Sequence, residues 1–510
     1  MTGGDNGTPA AAWSSVLRRQ TASAALGQAW REGLARHRAA PAPVLLRLLD
    51  VAPGKRVPAY LTWRKLPEEV VSAWLAHPEW RVRFALAGRG LLSPEERAQL
   101  FQDPDPKHRL VLLVWAVDDQ LALTEATFTQ LANDPDPRVR AEAALHRHLP
   151  TRHLVALATD PDPQVRRCAV PRAWTHLEPS GQAALLADPD PGVRADAVIG
   201  HHRSTPLSAA AFAGLPDDRH RERAAEGCEL DRELAETLVR GAETALRGAT
   251  ALNAGLDADL VALLGQDPDP QVRLRISVRP DLTEAERSRI AVELAPNVRY
   301  SPVEWVRDLA DDAEAMRRCA TSSHVLLRRD AACARNLPDD VVDLLAHDED
   351  WVVRLLLAEH CDQAPAELLL EMVRTWEGYS AARLVEHPNF PREHTLSYAD
   401  DPHPRMRELA LLDPEAPADL VERLSRDPDN GVRWRALRDE RLSSASVIRL
   451  LDDPDHGIRN AAAADSRLPA HVLAGLLYDT ATAAAAAANP VLPESVMHHL
   501  LDRTPPTAPA

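Results

Sequence analysis

Apolar positions along this chain fall into short rows of helical spacing, and the rows return at a nearly constant interval. Val82, His108, Val139, Val165, Val193, Val272, Val353, Met406, Val432 and Ile458 form one row, and Leu86, Leu112, Ala143, Ala169, Ala197, Ile276, Leu357, Ala410, Ala436 and Ala462 stand four residues after them. Residues i and i+4 share a helix face, so each pair predicts a short helix with one buried stripe. A third row, Trp74, Leu100, Leu131, Leu157, Leu185, Leu264, Leu345, Tyr398, Leu424 and Leu450, lies eight residues ahead of the first and predicts a preceding helix with its own buried row. Helices of about 8–10 residues are marginal alone, so each pair depends on the pairs beside it.

The polar residues between the rows repeat just as strictly. Asp134-Pro135-Asp136-Pro137-Arg138-Val139-Arg140 has near-copies starting at Asp103, Asp160, Asp188, Asp267, Asp427 and Asp453, and looser ones at His77, Asp348 and Asp401. In the unit 149–172 the spacing predicts a first helix over 150–158, closed by Asp160-Pro161 because the residue before proline is pushed out of the helical region. Asp162 then stands where it caps the second helix, and Pro163 takes its first position, where a missing N–H costs nothing. The same capping place holds Asp105, Asp136, Asp190, Asp269, Asp350, Asp429 and Asp455, with Glu79 and His403 as exceptions. Eroded copies are expected at Asp217 to Arg223, Gly241 to Arg247, Glu293 to Arg299, Ser322 to Arg328 and Glu377 to Arg383. Outer ones are expected at Asp50 to Arg56 and from Asp479, where Ala485 replaces the arginine. The reading is an all-α solenoid of about seventeen helix-pair repeats of roughly 26–27 residues over 41–502. It is preceded by a disordered 1–10 and a helical cap on the first repeat over 11–40, and followed by a disordered tail, 503–510.

An arginine closes every clear copy: Arg83, Arg109, Arg140, Arg166, Arg194, Arg273, Arg354, Arg407, Arg433 and Arg459. Its planar fork beside aspartate-rich turns predicts a ladder in which each arginine pairs with carboxylates of its own or the adjoining turn. The competing reading, an arginine row gripping an anionic ligand, is weakened by aspartates that cancel its field. The place after this arginine varies most, with Phe84, Arg167 and Trp434 among its occupants, and Trp80 and Trp351 replace a proline earlier in the phrase. These five are candidates for a partner surface; the plainer reading has them filling gaps between unequal repeats. The irregular stretches 207–252 and 299–318 are expected to form either a hinge or a docking site.

The phrase D-P-x-x-x-V-R, its alternation with starts such as Leu149-Pro150, Leu337-Pro338 and Leu468-Pro469, and the short period resemble the leucine-rich repeat variant family and, more broadly, HEAT/armadillo-like α-solenoids. The resemblance covers about residues 41–502. It implies a right-handed superhelix, one α and one shorter 3-10 helix per repeat, an Asp–Arg ladder, and interaction rather than catalysis. The cysteine-rich iron–sulphur segment of some relatives has no counterpart here.

Composition narrows the function. A formal charge of −17 over 510 residues argues against a nucleic-acid backbone as partner. Cys168, Cys228, Cys319, Cys333 and Cys361 are scattered without a CxxC pair, so neither a metal site nor a disulfide framework is indicated. The beginning carries no basic-then-apolar leader and no window is long enough to span a bilayer, which predicts a cytoplasmic protein. His146/His148, His201/His202 and His498/His499 lack the i, i+4 spacing of a zinc protease. The expected function is therefore a non-catalytic scaffold for protein partners, without cofactor. The alternative is a HEAT-like solenoid acting on DNA bases, which needs a basic recess holding an aromatic and a carboxylate.

Overall fold

The computed structural model describes residues 9–18, 22–49, 61, 65–87, 92–295, 300–378 and 381–503. The expected copy at Asp50 to Arg56 and most of both expected disordered ends lie outside the described residues. Within them the chain is all-α. It carries 35 α-helices, three short 3-10 turns and a single isolated bridge, Leu207 with Leu230, in place of any sheet.

The helices come in antiparallel-type pairs joined by the aspartate turns, which makes the chain an α-solenoid of short helix-pair repeats. Thr151–Leu157 with Pro163–Ala173 is one such pair, and Ala418–Leu424 with Asn430–Leu437 another. Asp162 accepts hydrogen bonds from the amides of Gln164 and Val165, and Pro163 occupies the first turn. The second helix passes through Pro171 to Ala173 before a 3-10 turn at Trp174–His176. Both members of these pairs are α-helical, whereas Thr395–Tyr398 ahead of Pro404–Ala410 is the 3-10 partner that the family resemblance implies. The core follows the three apolar rows: Leu131, Val139 and Ala143 are buried, as are Leu424, Val432 and Ala436. His108 and Tyr398 are only half-buried.

The chain divides into two compact units, one of residues 132–391 and one made of 1–131 together with 392–510. In the first unit the irregular stretch 207–252 forms ordinary pairs, Ala209–Ala213 with Asp218–Gly227 and Arg232–Arg240 with Thr244–Ala251. Leu207, Phe212, Leu215, Ala224, Leu234 and Leu238 share one apolar cluster there.

The second unit is discontinuous because both ends of the chain build it. The helix Ala24–Arg36 packs on Ala42–Leu49 and also on the last repeat, Ala483–Ala487 and Glu494–Asp502. The indole N–H of Trp30 donates to the Leu477 carbonyl (2.7 Å), and its ring meets Tyr478 edge-on at 5.7 Å. Tyr478 in turn donates its hydroxyl to the Val16 carbonyl. Gly33 explains how near the helices come: a Cβ there would sit 2.2 Å from the Ala484 carbonyl oxygen. The alanine run, which reads as weakly hydrophobic, is thus a small-residue face against which a helix from the other end of the sequence lies. Arg47 completes the contact, donating to the His498 carbonyl and pairing with Asp502 at 2.6 Å.

Candidate functional site

The arginine row forms a ladder with a fixed geometry. Arg140 donates one Nη1 to the carbonyls of Asp134 and Pro135 in its own turn, while Nε and Nη2 grip both oxygens of Asp160 in the next, at 2.7 and 2.9 Å. Arg166 does the same toward Asp160 and Pro161 carbonyls and the Asp188 carboxylate. Arg247, Arg328, Arg407 and Arg433 repeat it on Asp267, Asp348, Asp427 and Asp453, and Arg83 binds Asp103. Each acceptor aspartate also takes the amide two residues on, as Asp160 does from Asp162, so one carboxylate orders its own turn and receives the preceding repeat. Burial alone would raise the Asp160 carboxyl, yet the hydrogen bonds from Arg140 and the Asp162 amide, with the Arg140 and Arg166 charges, hold it below the ordinary range. Asp188, Asp427 and Asp453 are depressed in the same way.

Arg109 also holds the carbonyls of its own turn, at Asp103 and Pro104. Four members differ. Arg194 and Arg459 keep their turn carbonyls, and among the described residues neither meets a carboxylate. Leu215 stands where Arg194 would find its acceptor. Arg273 reaches the Ala291 carbonyl instead, and Arg354 reaches Glu371 on the following helix. Two eroded copies are also re-registered. Arg221, not Arg223, points to the carbonyl six residues back, at Leu215, while Arg223 pairs with Asp196 at 2.6 Å. Arg299 lies outside the described residues; the second helix of that unit is Glu304–Asp308, preceded by Ser301-Pro302, and Arg307 of this helix pairs with Asp330. The capping carboxylates of Asp105, Asp136, Asp162, Asp190, Asp269, Asp350, Asp429 and Asp455 each accept a backbone amide at the start of the second helix, and His403 caps with no side-chain bond.

A second line of staples has no counterpart in the sequence reading. Arg172 donates to the Ala144 and His146 carbonyls of the preceding repeat, Arg279 to Ala251 and Asn253, and Asn253 to Ala225 and Cys228. Arg441 and Arg467 do likewise while clamped on Asp439 and Asp465. The signal was a column of polar residues just past the second helix, in which Arg172, Asn253 and Arg279 stand twelve residues after the first residue of their phrases. These side chains satisfy helix-end carbonyls that have no partner within their own helix.

The candidate partner residues separate into four places. Trp80 stacks on His108 at 4.0 Å and tilts onto Phe84, and Phe84 packs on Trp115, itself 40% exposed. Together they run an aromatic strip across two successive second helices, Trp80–Ala87 and Pro106–Asp118. Trp351 packs on Trp376, and Arg167 lies over Gly192, where a Cβ would collide with its guanidinium. Trp434 is 41% exposed with the Arg438 guanidinium 4.7 Å above its ring. Arg438 also borders a half-open cavity of about 470 Å³ walled by Leu412, Pro414, Arg435, Glu440 and Arg441.

One arrangement looks catalytic and is not. Ser277 Oγ lies 2.8 Å from His324 Nε2 in a buried site. His324 Nδ1 accepts the Leu326 amide, so the proton is on Nε2 and the ring donates to Ser277, whose hydroxyl in turn donates a hydrogen bond to the Leu274 carbonyl. An imidazole that donates to the hydroxyl does not deprotonate it. Burial, reinforced by the Arg287 charge, lowers this histidine to about 4. Burial likewise pushes the Cys228 and Cys333 thiols up to about 11, away from the reactive thiolate. No group of His, Cys, Asp and Glu suited to a metal occurs among the described residues, and no described helix is long and apolar enough to cross a membrane.

No protein-family model and no curated protein matches the chain. Among solved structures it is similar to Kap121p bound to Nup53p, at 11% identity and a TM-score of 0.24, covering 86% of this chain and 50% of that one. It is also similar to a microtubule-polymerase TOG domain array, at 12% identity and a TM-score of 0.22, covering 84% and 98%. The chain spans about half the length of the Kap121p structures it matches. Agreement this slight adds nothing to the fold class, which stands on the helix pairs and their buried rows.

Proposed function

We propose that this chain is a non-catalytic repeat scaffold that binds a protein partner on the exposed faces of its second helices, in the cytoplasm and without a cofactor. The observation that carries the reading is the strip of Trp80, Phe84, His108 and Trp115. Large aromatics shared between adjacent repeats, three half-buried and Trp115 exposed, are the residue type that dominates binding energy at protein interfaces. The arginines of the ladder, by contrast, are spent on turns, which removes them as a phosphate-gripping row. Within the α-solenoids, the D-P-x-x-x-V-R phrase supports kinship with the leucine-rich repeat variants, in a form whose second helix is α.

Tagged full-length chain and a Trp80→Ala/Trp115→Ala variant, used side by side in affinity capture from the native cell, test the reading. A protein retained by the first and lost by the second, with helicity unchanged, is the expected result. Equal retention by both moves the interface elsewhere.

A further inference from the structure

The cavity bordered by Arg438, whose guanidinium rests on the Trp434 ring, is lined mostly by charged side chains. Its walls carry three carboxylates and three guanidinium groups, but the structure uses them unequally. Arg441 is clamped on Asp439 and donates to the Ala416 and Leu411 carbonyls. Asp413 accepts the amides of Glu415 and Leu396 and the hydroxyl of Thr395. Glu440 is exposed. That leaves Arg435 and Arg438, and among the described residues neither guanidinium has a hydrogen-bonding partner. Arg438 only rests on the Trp434 ring. Arg435 is half-buried, and burial, with the Arg438 charge, lowers its affinity for its proton against the opposing effect of Glu408 and Asp439. Two guanidinium groups without a protein partner at one cavity offer an incoming carboxylate charge-assisted hydrogen bonds.

We propose that this cavity is a docking pocket for an acidic side chain of a partner peptide, an Asp or Glu next to an apolar residue, held by Arg435 and by Arg438, which rests on the Trp434 ring, and flanked by Leu412 and Pro414. A carboxylate offers Arg435 and Arg438 a planar pair of acceptor oxygens. The volume is that of a small ligand site, enough for one side chain and part of its neighbour. The assignment rests on the protein-binding reading above and adds what the bound segment carries.

An immobilised positional-scanning library of acetylated hexapeptides, probed with the full chain, tests it. The expected result is selection of Asp or Glu beside Leu, Phe or Met, lost at least tenfold in Arg435→Gln/Arg438→Gln, two side chains whose removal breaks no hydrogen bond of the fold. Trp434→Ala weakens the same peptides. No acidic preference, or a preference unchanged in the double variant, overturns the pocket. Phosphoserine outbinding Glu at the selected position overturns the carboxylate assignment, and competition by N-acetylglutamate as strong as by the peptide overturns the peptide. If the library is blank while a partner is still lost with Trp80 and Trp115, the pocket is wrong and the scaffold reading stands.

Discussion

Arg140 and Arg459 occupy the same place in the phrase but do different amounts of structural work, and their removal separates the two halves of a rung. Arg140→Ala leaves the buried Asp160 carboxylate without its counter-charge, so unfolding in urea should show a loss of about 3 kcal/mol. Arg459→Ala removes only bonds to carbonyls and should cost about 1 kcal/mol. Equal losses would mean that the carboxylate contributes nothing to holding repeats together. Acid acts on the same groups. The rung aspartates have depressed folded values, so their contribution is complete above the unfolded value of about 4 and disappears as pH falls through the folded ones. His324 has the opposite charge type and a lowered value, so it withholds a proton that the unfolded chain binds. Its contribution is complete above 6.5 and shrinks as pH falls toward about 4. Stability of the wild type should therefore decline in two stages, and His324→Asn, which keeps an acceptor for the Leu326 amide, should flatten the one between 6.5 and 4. What the sequence made legible at this scale was the donor column. The acceptor's identity was not. The proline that follows marks the third position as the helix cap, whereas only the chain's path assigns the first to the preceding arginine.

At the scale of elements, periodicity located the helix pairs wherever a buried row and its turn coincided, and it failed where one of the two was missing. Ser301-Pro302-Val303-Glu304-Trp305-Val306-Arg307 is a copy of the phrase, but serine replaces its leading aspartate, and even spacing drew attention to Glu293 instead. Leu215 hides another copy for the same reason. The closest helix approach in the chain's end contact was equally silent, since Gly33 and the alanine run have no pattern except smallness. It is nevertheless sensitive. Gly33→Leu places a branched side chain against the Ala484 carbonyl and the Ala487 methyl, and overpacking of this kind costs about 1–3 kcal/mol. The expected outcome is release of Ala24–Arg36 from the last repeat, seen as tryptic cleavage after Arg31 or Arg36 at protease levels that spare the wild type.

Across the whole molecule the decisive contacts join residues as far apart as Trp30 and Leu477, separated by 447 positions. No local rule anticipates such pairing, because a terminal repeat shows only that its apolar face needs a cover, not which segment supplies it. The helical segment near the start covers the final repeat as well as the helix that follows it, so one compact unit takes its residues from both ends while the other, 132–391, is continuous. Repeat proteins transmit stability between neighbours, and a lost neighbour is felt first by the repeats that touched it. Deleting residues 1–40 uncovers Ala483–Ala487 and Glu494–Asp502, two short helices too weak to persist alone. Hydrogen exchange should then accelerate through the last repeats and fade over the preceding ones, with amides of 132–391 keeping their wild-type protection. Uniform acceleration along the chain would show that the two units unfold as one, and no acceleration would show that the last repeat never depended on the N-terminal helices.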